Sequence, residues 1–153
     1  YGFQLKKGAT ALTESWAALE IVSNNHLMLG HVMEWFYAGL GGIGQAENST
    51  AYKEITIQPQ LVSDLNYVKT SFQSPYGLIR SDWEKTGSVF QIEVEIPHNT
   101  TATLLLPTND ANTVKVNGNA PEEWILAEDD KQGKIKLKLG SGIYLVQSGM
   151  ELQ

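Results

Sequence analysis

The spacing of hydrophobic residues changes near residue 45 of this 153-residue chain. Before that point, residues 24–44 read NNHLMLGHVMEWFYAGLGGIG, and apolar side chains cover more than half of a helical circumference. The leading asparagines are typical helix caps, and the trailing glycines are typical of helix ends. The pattern predicts a long helix over about residues 26–40 that packs against neighbours on more than one side. A shorter helical segment is predicted over about residues 14–22.

After residue 45, apolar and polar residues alternate with a period of two, beginning with KEITIQPQ at residues 53–60. Glycine, proline and asparagine recur at intervals of about ten residues, which is typical of short strands joined by tight turns. Asn117-Gly118 is a strong signal for a type I′ hairpin, because both residues tolerate a positive φ. We therefore predict an antiparallel β-sandwich, an α+β fold class for the whole chain, and a division into residues 1–46 and 47–153.

Composition and charge narrow the possible functions. Hydrophobic residues make up 42% of the chain, enough to bury a core. The formal net charge of -6 argues against nucleic-acid partners and anionic membrane surfaces. The absence of cysteine excludes thiol catalysis, disulfides and cysteine zinc sites. The apolar run at residues 27–40 is too short to span a bilayer. The chain begins with Tyr1 rather than methionine, so we expect it to be part of a longer protein.

Glu14 is the first candidate for chemistry. It lies in GATALTESWA, residues 8–17, two positions before Trp16. One interpretation is structural, because an acidic side chain in the first turn of a helix is favoured by the helix dipole. The other is a catalytic carboxylate, which for sugar hydrolysis would need a second carboxyl group across the substrate. Glu20 and Glu34 are possible partners, but both have the character of solvated helix positions.

His26 opens the long apolar segment and has two equally weighted interpretations. It is either a partly buried, hydrogen-bonded residue at a helix start or a polar group aimed at a ligand hydroxyl. His31 and Glu34 are three residues apart and face the same side of a helix. Two potential ligands do not make a metal site, so we expect no metal and no cofactor.

Four aromatic residues of the strand region could form a sugar-stacking platform: Tyr52, Tyr67, Tyr76 and Trp83. Aromatic side chains at strand spacing are more often part of a core. We therefore favour the core interpretation and keep the platform as the alternative.

These residues together resemble the closing segment of bacterial α-L-rhamnosidases, inverting enzymes with an (α/α)6 toroid. The matching family motif is Gly-Ala-Thr-x-x-x-Glu-x-Trp, then Asn-His, then a helix carrying Glu-Trp-hydrophobic-Tyr, then Gly-Ile. The matching positions are Gly8, Ala9, Thr10, Glu14, Trp16, Asn25, His26, Glu34, Trp35, Phe36, Tyr37, Gly42 and Ile43. Residues 55–87 and 96–107 resemble the C-terminal β-sandwich of the same family. One departure is the short connection of residues 17–24, where the family often has a long loop.

The resemblance implies a C-terminal fragment of a glycoside hydrolase that releases terminal α-L-rhamnose. It implies that residues 1–46 are the last helices of the toroid and that residues 47–153 are the sandwich. By the same resemblance, Glu14 is the general base that activates water, and His26 and Trp16 are substrate-binding. The general acid would come from upstream, so the fragment by itself should be inactive.

Three functional hypotheses remain open from the sequence. The chain is the end of a rhamnoside hydrolase, a carbohydrate-binding sandwich with a helical anchor, or a structural domain of a larger enzyme. The expected partners are a rhamnose-containing glycoside and the missing upstream toroid. The apolar surface around Met28, Val32, Trp35 and Phe36 additionally predicts self-association of the fragment, because large exposed apolar patches usually bind partners.

Overall fold

The computed structural model describes residues 1–17, 19–121, 126–129 and 134–150. The chain forms two compact units, Tyr1–Phe36 and Tyr37–Gln153. Among the described residues, no helix is both long and apolar enough to cross a membrane.

The first unit contains short helical elements joined by a long loop. Helix α1 (Gly2–Lys6) comes first and was not predicted from the sequence. A 3-10 turn (Leu27–Gly30) and α2 (Val32–Glu34) follow the loop. A π-helical segment (Trp35–Leu40) then runs into the second unit. The segment predicted as one long helix, residues 26–40, is therefore helical along most of its length. It consists of a 3-10 turn, a short α-helix and a π-helical segment. Gly30 and Gly39 weaken regular α-helix within it, because glycine costs about 1 kcal/mol relative to alanine.

The predicted helical segment at residues 14–22 is wrong. The described residues of that range, which exclude residue 18, form bends and turns. The backbone N–H of Glu14 donates to the carbonyl oxygen of Ser23 at 2.8 Å, and the Glu14 carboxylate accepts from the backbone N–H of Ser23 at 3.1 Å. These bonds across the loop replace the local bonds of a helical turn, because a side-chain acceptor competes with helix formation.

The second unit is a sandwich of two sheets. In chain order the strands are β1 (Ile43–Gln45), β2 (Glu54–Ile57), β3 (Tyr67–Ser74), β4 (Gly77–Thr86), β5 (Val89–Ile96), β6 (Thr101–Leu105), β7 (Lys115–Val116), β8 (Leu126–Asp129), β9 (Lys134–Leu139) and β10 (Gly142–Gly149). One sheet has the order β1-β2-β6-β9-β8, and the other has the order β3-β4-β5-β10-β7. The second sheet is antiparallel throughout. The first contains one parallel pair, β2 with β6.

The hydrophobic core lies between the two sheets, where alternate residues of each strand point inward. In β5 the inward residues Phe90, Ile92, Val94 and Ile96 are all buried, and the residues between them are partly exposed. This alternation is the period of two that the sequence displays, and the prediction of a β-sandwich is confirmed.

The predicted Asn-Gly hairpin is also present. Asn117 and Gly118 both have positive φ, at 51° and 81°. Val116 and Asn119 exchange backbone hydrogen bonds of 2.8 and 3.1 Å. Asn117 further accepts from the backbone N–H of Leu145 through its side chain, at 2.9 Å, which fastens the turn to β10.

Three buried contacts fix the chain where it enters the sandwich. The indole N–H of Trp83 donates to the carbonyl oxygen of Leu40 at 2.7 Å, and the hydroxyl of Ser81 donates to that of Gly41 at 2.6 Å. Gly42 has a φ of 71°, and a Cβ there would lie 2.2 Å from the backbone nitrogen of Pro59. Only glycine fits that close approach. Trp83 and Ser81 thus hold the end of the π-helical segment in one position on β4.

Candidate functional site

The candidate site lies in the loop between α1 and the 3-10 turn, and backbone hydrogen bonds close this loop. Glu14 donates to Ser23 at 2.8 Å, and the backbone N–H of His26 donates to the carbonyl oxygen of Leu12 at 2.7 Å. Gly8, with a φ of 79°, supplies the left-handed turn that leads out of α1. The two closing bonds bring the segment around Glu14 beside the segment that ends at His26.

Glu14 is exposed, and the loop orients one of its two carboxylate oxygens. Oε2 accepts the hydrogen bond from the backbone N–H of Ser23. Among the described residues, Oε1 has no hydrogen-bond partner. An exposed carboxylate with one oriented and one open oxygen is in contact with solvent and has an acceptor available for a proton from water.

Trp16 presents part of its indole to solvent. It is 54% exposed, and its ring packs edge to face against the ring of Tyr1, with centroids 5.0 Å apart. The hydroxyl of Tyr1 in turn donates to the carbonyl oxygen of Leu29. The indole is therefore supported on one side and open on another, as a ring that stacks on a sugar needs to be.

His26 is partly buried and occupies the N-cap position of the 3-10 turn. Its backbone is extended, with φ −126° and ψ 103°, and its side chain makes no capping hydrogen bond. Within the described part of the chain, no hydrogen bond of the imidazole is found. The ring is thus available to a ligand rather than committed to the helix start.

The structure places Glu14, Trp16 and His26 on one loop but does not join their side chains through a mutual hydrogen bond or ring contact. Glu20 and Glu34 are both exposed. His31 and Glu34 share only a backbone hydrogen bond of 3.0 Å, from Glu34 to the carbonyl oxygen of His31. In the described ranges, no group of three potential ligands could hold a metal ion.

The four strand-region aromatics do not form one platform. Trp83 is 2% exposed and lies in the core, so it cannot stack on a ligand. Tyr52 packs against Phe72, with ring centroids 4.8 Å apart. Tyr67 and Tyr76 remain exposed. For Trp83 the core interpretation is confirmed.

Two features of the first unit escaped sequence reasoning. Gln4 is only 3% exposed, and its Nε2 has no hydrogen-bond partner among the described atoms. The contact by which Ser23 orients Glu14 could not be predicted from the sequence, because it spans nine residues. Thr13 stabilises the loop through a short-range side-chain hydrogen bond. It is 1% exposed, and its hydroxyl donates to the carbonyl oxygen of Ser15 at 2.7 Å.

Comparison with known families gives two matches that follow one another along the chain. The model of the bacterial alpha-L-rhamnosidase 6 hairpin glycosidase domain matches residues 1–40. The model of the bacterial alpha-L-rhamnosidase C-terminal domain matches residues 42–121.

Similar proteins are much longer than this chain. An alpha-L-rhamnosidase of Formosa agariphila is 29% identical over 98% of this chain, which spans 17% of that relative. An alpha-L-rhamnosidase of Streptomyces avermitilis is 27% identical over 93% of this chain, which spans 14% of it.

Solved structures of such proteins share the fold of the chain. The alpha-L-rhamnosidase from Dictyoglumus thermophilum superposes with a TM-score of 0.79 at 28% identity, over 97% of this chain and 17% of that one. The Streptomyces avermitilis alpha-L-rhamnosidase, solved in complex with L-rhamnose, gives 0.76 at 26% identity, over 95% of this chain and 14% of that one.

Proposed function

The chain belongs to the bacterial α-L-rhamnosidase C-terminal domain family, and on that premise we propose that it is the last part of a glycoside hydrolase. The proposed reaction is release of terminal α-L-rhamnose with inversion at the anomeric carbon. The observation that carries this proposal is the order of the two family matches, the hairpin glycosidase domain followed by the C-terminal domain. Residues 1–46 would then complete the catalytic toroid, and residues 47–153 would form the terminal sandwich.

In this proposal Glu14 is the general base. An inverting hydrolase needs two carboxyl groups about 6.5–9.5 Å apart, one to protonate the leaving oxygen and one to take a proton from water. Glu14 suits the second role because it is exposed and its Oε1 is open. The hydrogen bond from Ser23 keeps the carboxylate in one orientation, and proton transfer depends on such positioning.

Trp16 and His26 are the proposed contacts to the sugar. The exposed part of the indole can cover the apolar face of a rhamnose ring. The uncommitted imidazole can donate to or accept from a sugar hydroxyl, since neutral histidine has one nitrogen for each purpose. These roles require a substrate held mainly by the rest of the toroid.

The chain by itself is proposed to be inactive, because the general acid is not among its assigned residues. Its partners are a rhamnose-containing glycoside and the upstream toroid. Self-association of the isolated chain is a further proposal, supported by exposed Leu27, Met28 and Met33 on the helical segment.

The alternative role, a carbohydrate-binding sandwich with an aromatic platform, has less support because Trp83 is buried. A structural role for the sandwich is compatible with hydrolysis. The hydrogen bonds from Trp83 and Ser81 support this structural role, since they fix the backbone at the end of the π-helical segment.

The decisive experiment uses the longer enzyme that contains this chain, with p-nitrophenyl α-L-rhamnoside as substrate. We expect release of nitrophenol, and NMR at early times should show β-L-rhamnose as the first product. The isolated 153 residues should release none. Failure of the longer enzyme to cleave the rhamnoside, or α-L-rhamnose as first product, would contradict the proposal.

A further inference from the structure

Hydrogen bonds hold the backbone of Glu14 on both sides in the first unit. On the amino side, its N–H donates to the carbonyl oxygen of Ser23 at 2.8 Å. On the carboxyl side, the hydroxyl of Thr13 reaches past Glu14 and donates to the carbonyl oxygen of Ser15 at 2.7 Å. The first bond ties Glu14 to the far side of the loop, and the second acts within the three residues around it.

The bond from Thr13 to Ser15 closes a ring of atoms that contains the whole backbone of Glu14. Since φ and ψ are the soft angles of a backbone, closing this ring restricts both of them at Glu14. The side chain of threonine is branched at Cβ and stiff at χ1, so its hydroxyl points in a defined direction. The direction in which the carboxylate of Glu14 leaves the chain therefore depends on the hydroxyl of Thr13.

Burial makes this bond hard to replace. Thr13 is almost completely buried, so water does not readily take over the bond when the hydroxyl is removed. Ser23 makes a similar local contact, because its Oγ accepts from the backbone N–H of Asn25 at 3.3 Å. That contact is longer, and Ser23 is exposed, so solvent can substitute for it. Of these two hydroxyls, that of Thr13 is therefore the harder to replace.

We propose that Thr13 is a positioning residue for Glu14, an inference that rests on the proposed function of Glu14 as general base. Because Thr13 is buried, it acts on the orientation of the carboxylate rather than on the substrate. A small displacement of a base lowers the rate, since proton transfer requires hydrogen-bond distance to the attacking water. Binding of the sugar should change little, because the indole of Trp16 has its own support from the ring of Tyr1.

The test uses the longer enzyme that contains this chain, with p-nitrophenyl α-L-rhamnoside as substrate. Thr13→Val replaces the hydroxyl by a methyl group of similar size and removes the bond to Ser15. We expect kcat to fall by about ten- to hundredfold, as for a displacement of about 1 Å, with KM nearly unchanged. Thr13→Ala removes the same bond with a smaller side chain and should lower kcat similarly. Thr13→Ser keeps the hydroxyl and should restore kcat to within a few-fold of the parent.

Thr100 offers a matched control in the sandwich unit. It is also buried, and its hydroxyl donates to the carbonyl oxygen of Pro97 at the same distance of 2.7 Å. Thr100→Val therefore removes a bond of the same kind and length from the unit that contains none of the proposed catalytic residues. It should leave kcat unchanged even where it lowers the thermal midpoint as much as Thr13→Val does.

A double variant separates positioning of the base from general damage to the fold. If Thr13 acts through Glu14, its hydroxyl has no further role in turnover once the carboxylate is removed. Thr13→Val should therefore lower kcat much less in a Glu14→Gln background than in the parent, because effects of residues that act as a unit are not additive. A purely structural effect would lower kcat by the same factor in both backgrounds.

Four results would overturn this inference and leave the proposed function intact. In an enzyme that cleaves the rhamnoside and loses turnover in Glu14→Gln, they are parental kcat for Thr13→Val and Thr13→Ala, an equal loss for Thr13→Ser, an equal loss for Thr100→Val, or an equal effect of Thr13→Val in the parent and Glu14→Gln backgrounds. A longer enzyme that does not cleave the rhamnoside, or parental turnover by Glu14→Gln, would overturn the role of Glu14 and this inference together.

Discussion

The two units of the chain differ in what they bury. In the sandwich unit, the fully buried side chains are mostly branched aliphatic residues and aromatics between the two sheets. In the first unit, the described residues include no fully buried hydrophobic side chain, and the two buried residues, Gln4 and Thr13, are polar. Most of the large exposed hydrophobic residues belong to this unit, including Ile21 at 92% exposed and Leu27 at 80%.

This difference separates a self-sufficient structure from a dependent one. A sandwich with its own core gains stability from burying apolar area, at roughly 25 cal/mol per Å². Helical elements without a buried apolar face gain little, because most helical stability in proteins comes from packing of that face. The proposed catalytic residues thus lie in the unit that has no hydrophobic core of its own, which fits a segment that packs against the rest of a toroid.

The largest effect is expected at Glu14. In the longer enzyme, Glu14→Gln keeps the shape and the hydrogen bond from Ser23 but removes the proton acceptor. Turnover of p-nitrophenyl α-L-rhamnoside should fall by about 10²–10⁴-fold, the usual contribution of general acid–base catalysis. The Michaelis constant should change much less, and added azide should restore part of the rate.

Glu20→Gln and Glu34→Gln are the matched controls, since both residues are exposed carboxylates of the same unit. Each should leave turnover within a few-fold of the parent. Near-parental turnover by Glu14→Gln would mean that Glu14 is only a structural residue of the loop.

The next largest effect tests whether the sandwich unit, unlike the first unit, depends on a buried hydrophobic core. Leu104 on β6 is completely buried, so Leu104→Ala should lower the free energy of unfolding by about 2–5 kcal/mol. Leu27→Ala makes the same chemical change at an exposed position of the first unit and should stay within about 0.5 kcal/mol. Guanidinium denaturation of the isolated chain, followed by circular dichroism, measures both. A comparable loss for Leu27→Ala would show that the first unit has packing of its own.

The sequence predicted the sandwich well because strands and tight turns are specified by neighbouring residues. In β5 every second residue is apolar, and a strand with one buried face needs no other information. The Asn117-Gly118 turn is likewise specified by two adjacent residues. Residues 14–22 could not be predicted in the same way, because the bonds between Glu14 and Ser23 span nine positions and override a local helical preference.

The candidate site was predictable only in part. Glu14 and His26 were candidates from the residues alone. The resemblance to a family motif assigned roles to them and to Trp16, and those roles stay predictions. Their exposure depends on how the loop closes, through backbone bonds such as that between His26 and Leu12.

A smaller effect is expected at the entrance to the sandwich. Trp83→Phe keeps most of the ring volume but removes the indole N–H, so the carbonyl oxygen of Leu40 loses its partner. An unsatisfied buried acceptor costs about 1–3 kcal/mol. Trp35→Phe is the control, because Trp35 is 42% exposed and its indole has no such role among the described contacts. Denaturation midpoints that are equal for the two variants would exclude Trp83 as an anchor of this segment.

The smallest effect concerns association of the isolated chain. Exposed Leu27 and Met28 lie on the 3-10 turn, at 80% and 66% exposure. Two copies of the chain can remove this surface from water by pairing their first units, and full burial of one such side chain is worth roughly 1.5–3 kcal/mol. We therefore expect concentration-dependent dimerisation in sedimentation velocity, and Leu27→Ser with Met28→Ser should weaken it by about tenfold. Val89→Ser, at an exposed apolar position of the sandwich, should leave it unchanged. A single monomeric species at high protein concentration would show that the exposed face of the first unit does not drive association. An effect of Val89→Ser equal to that of the double variant would show that the sandwich forms part of the interface.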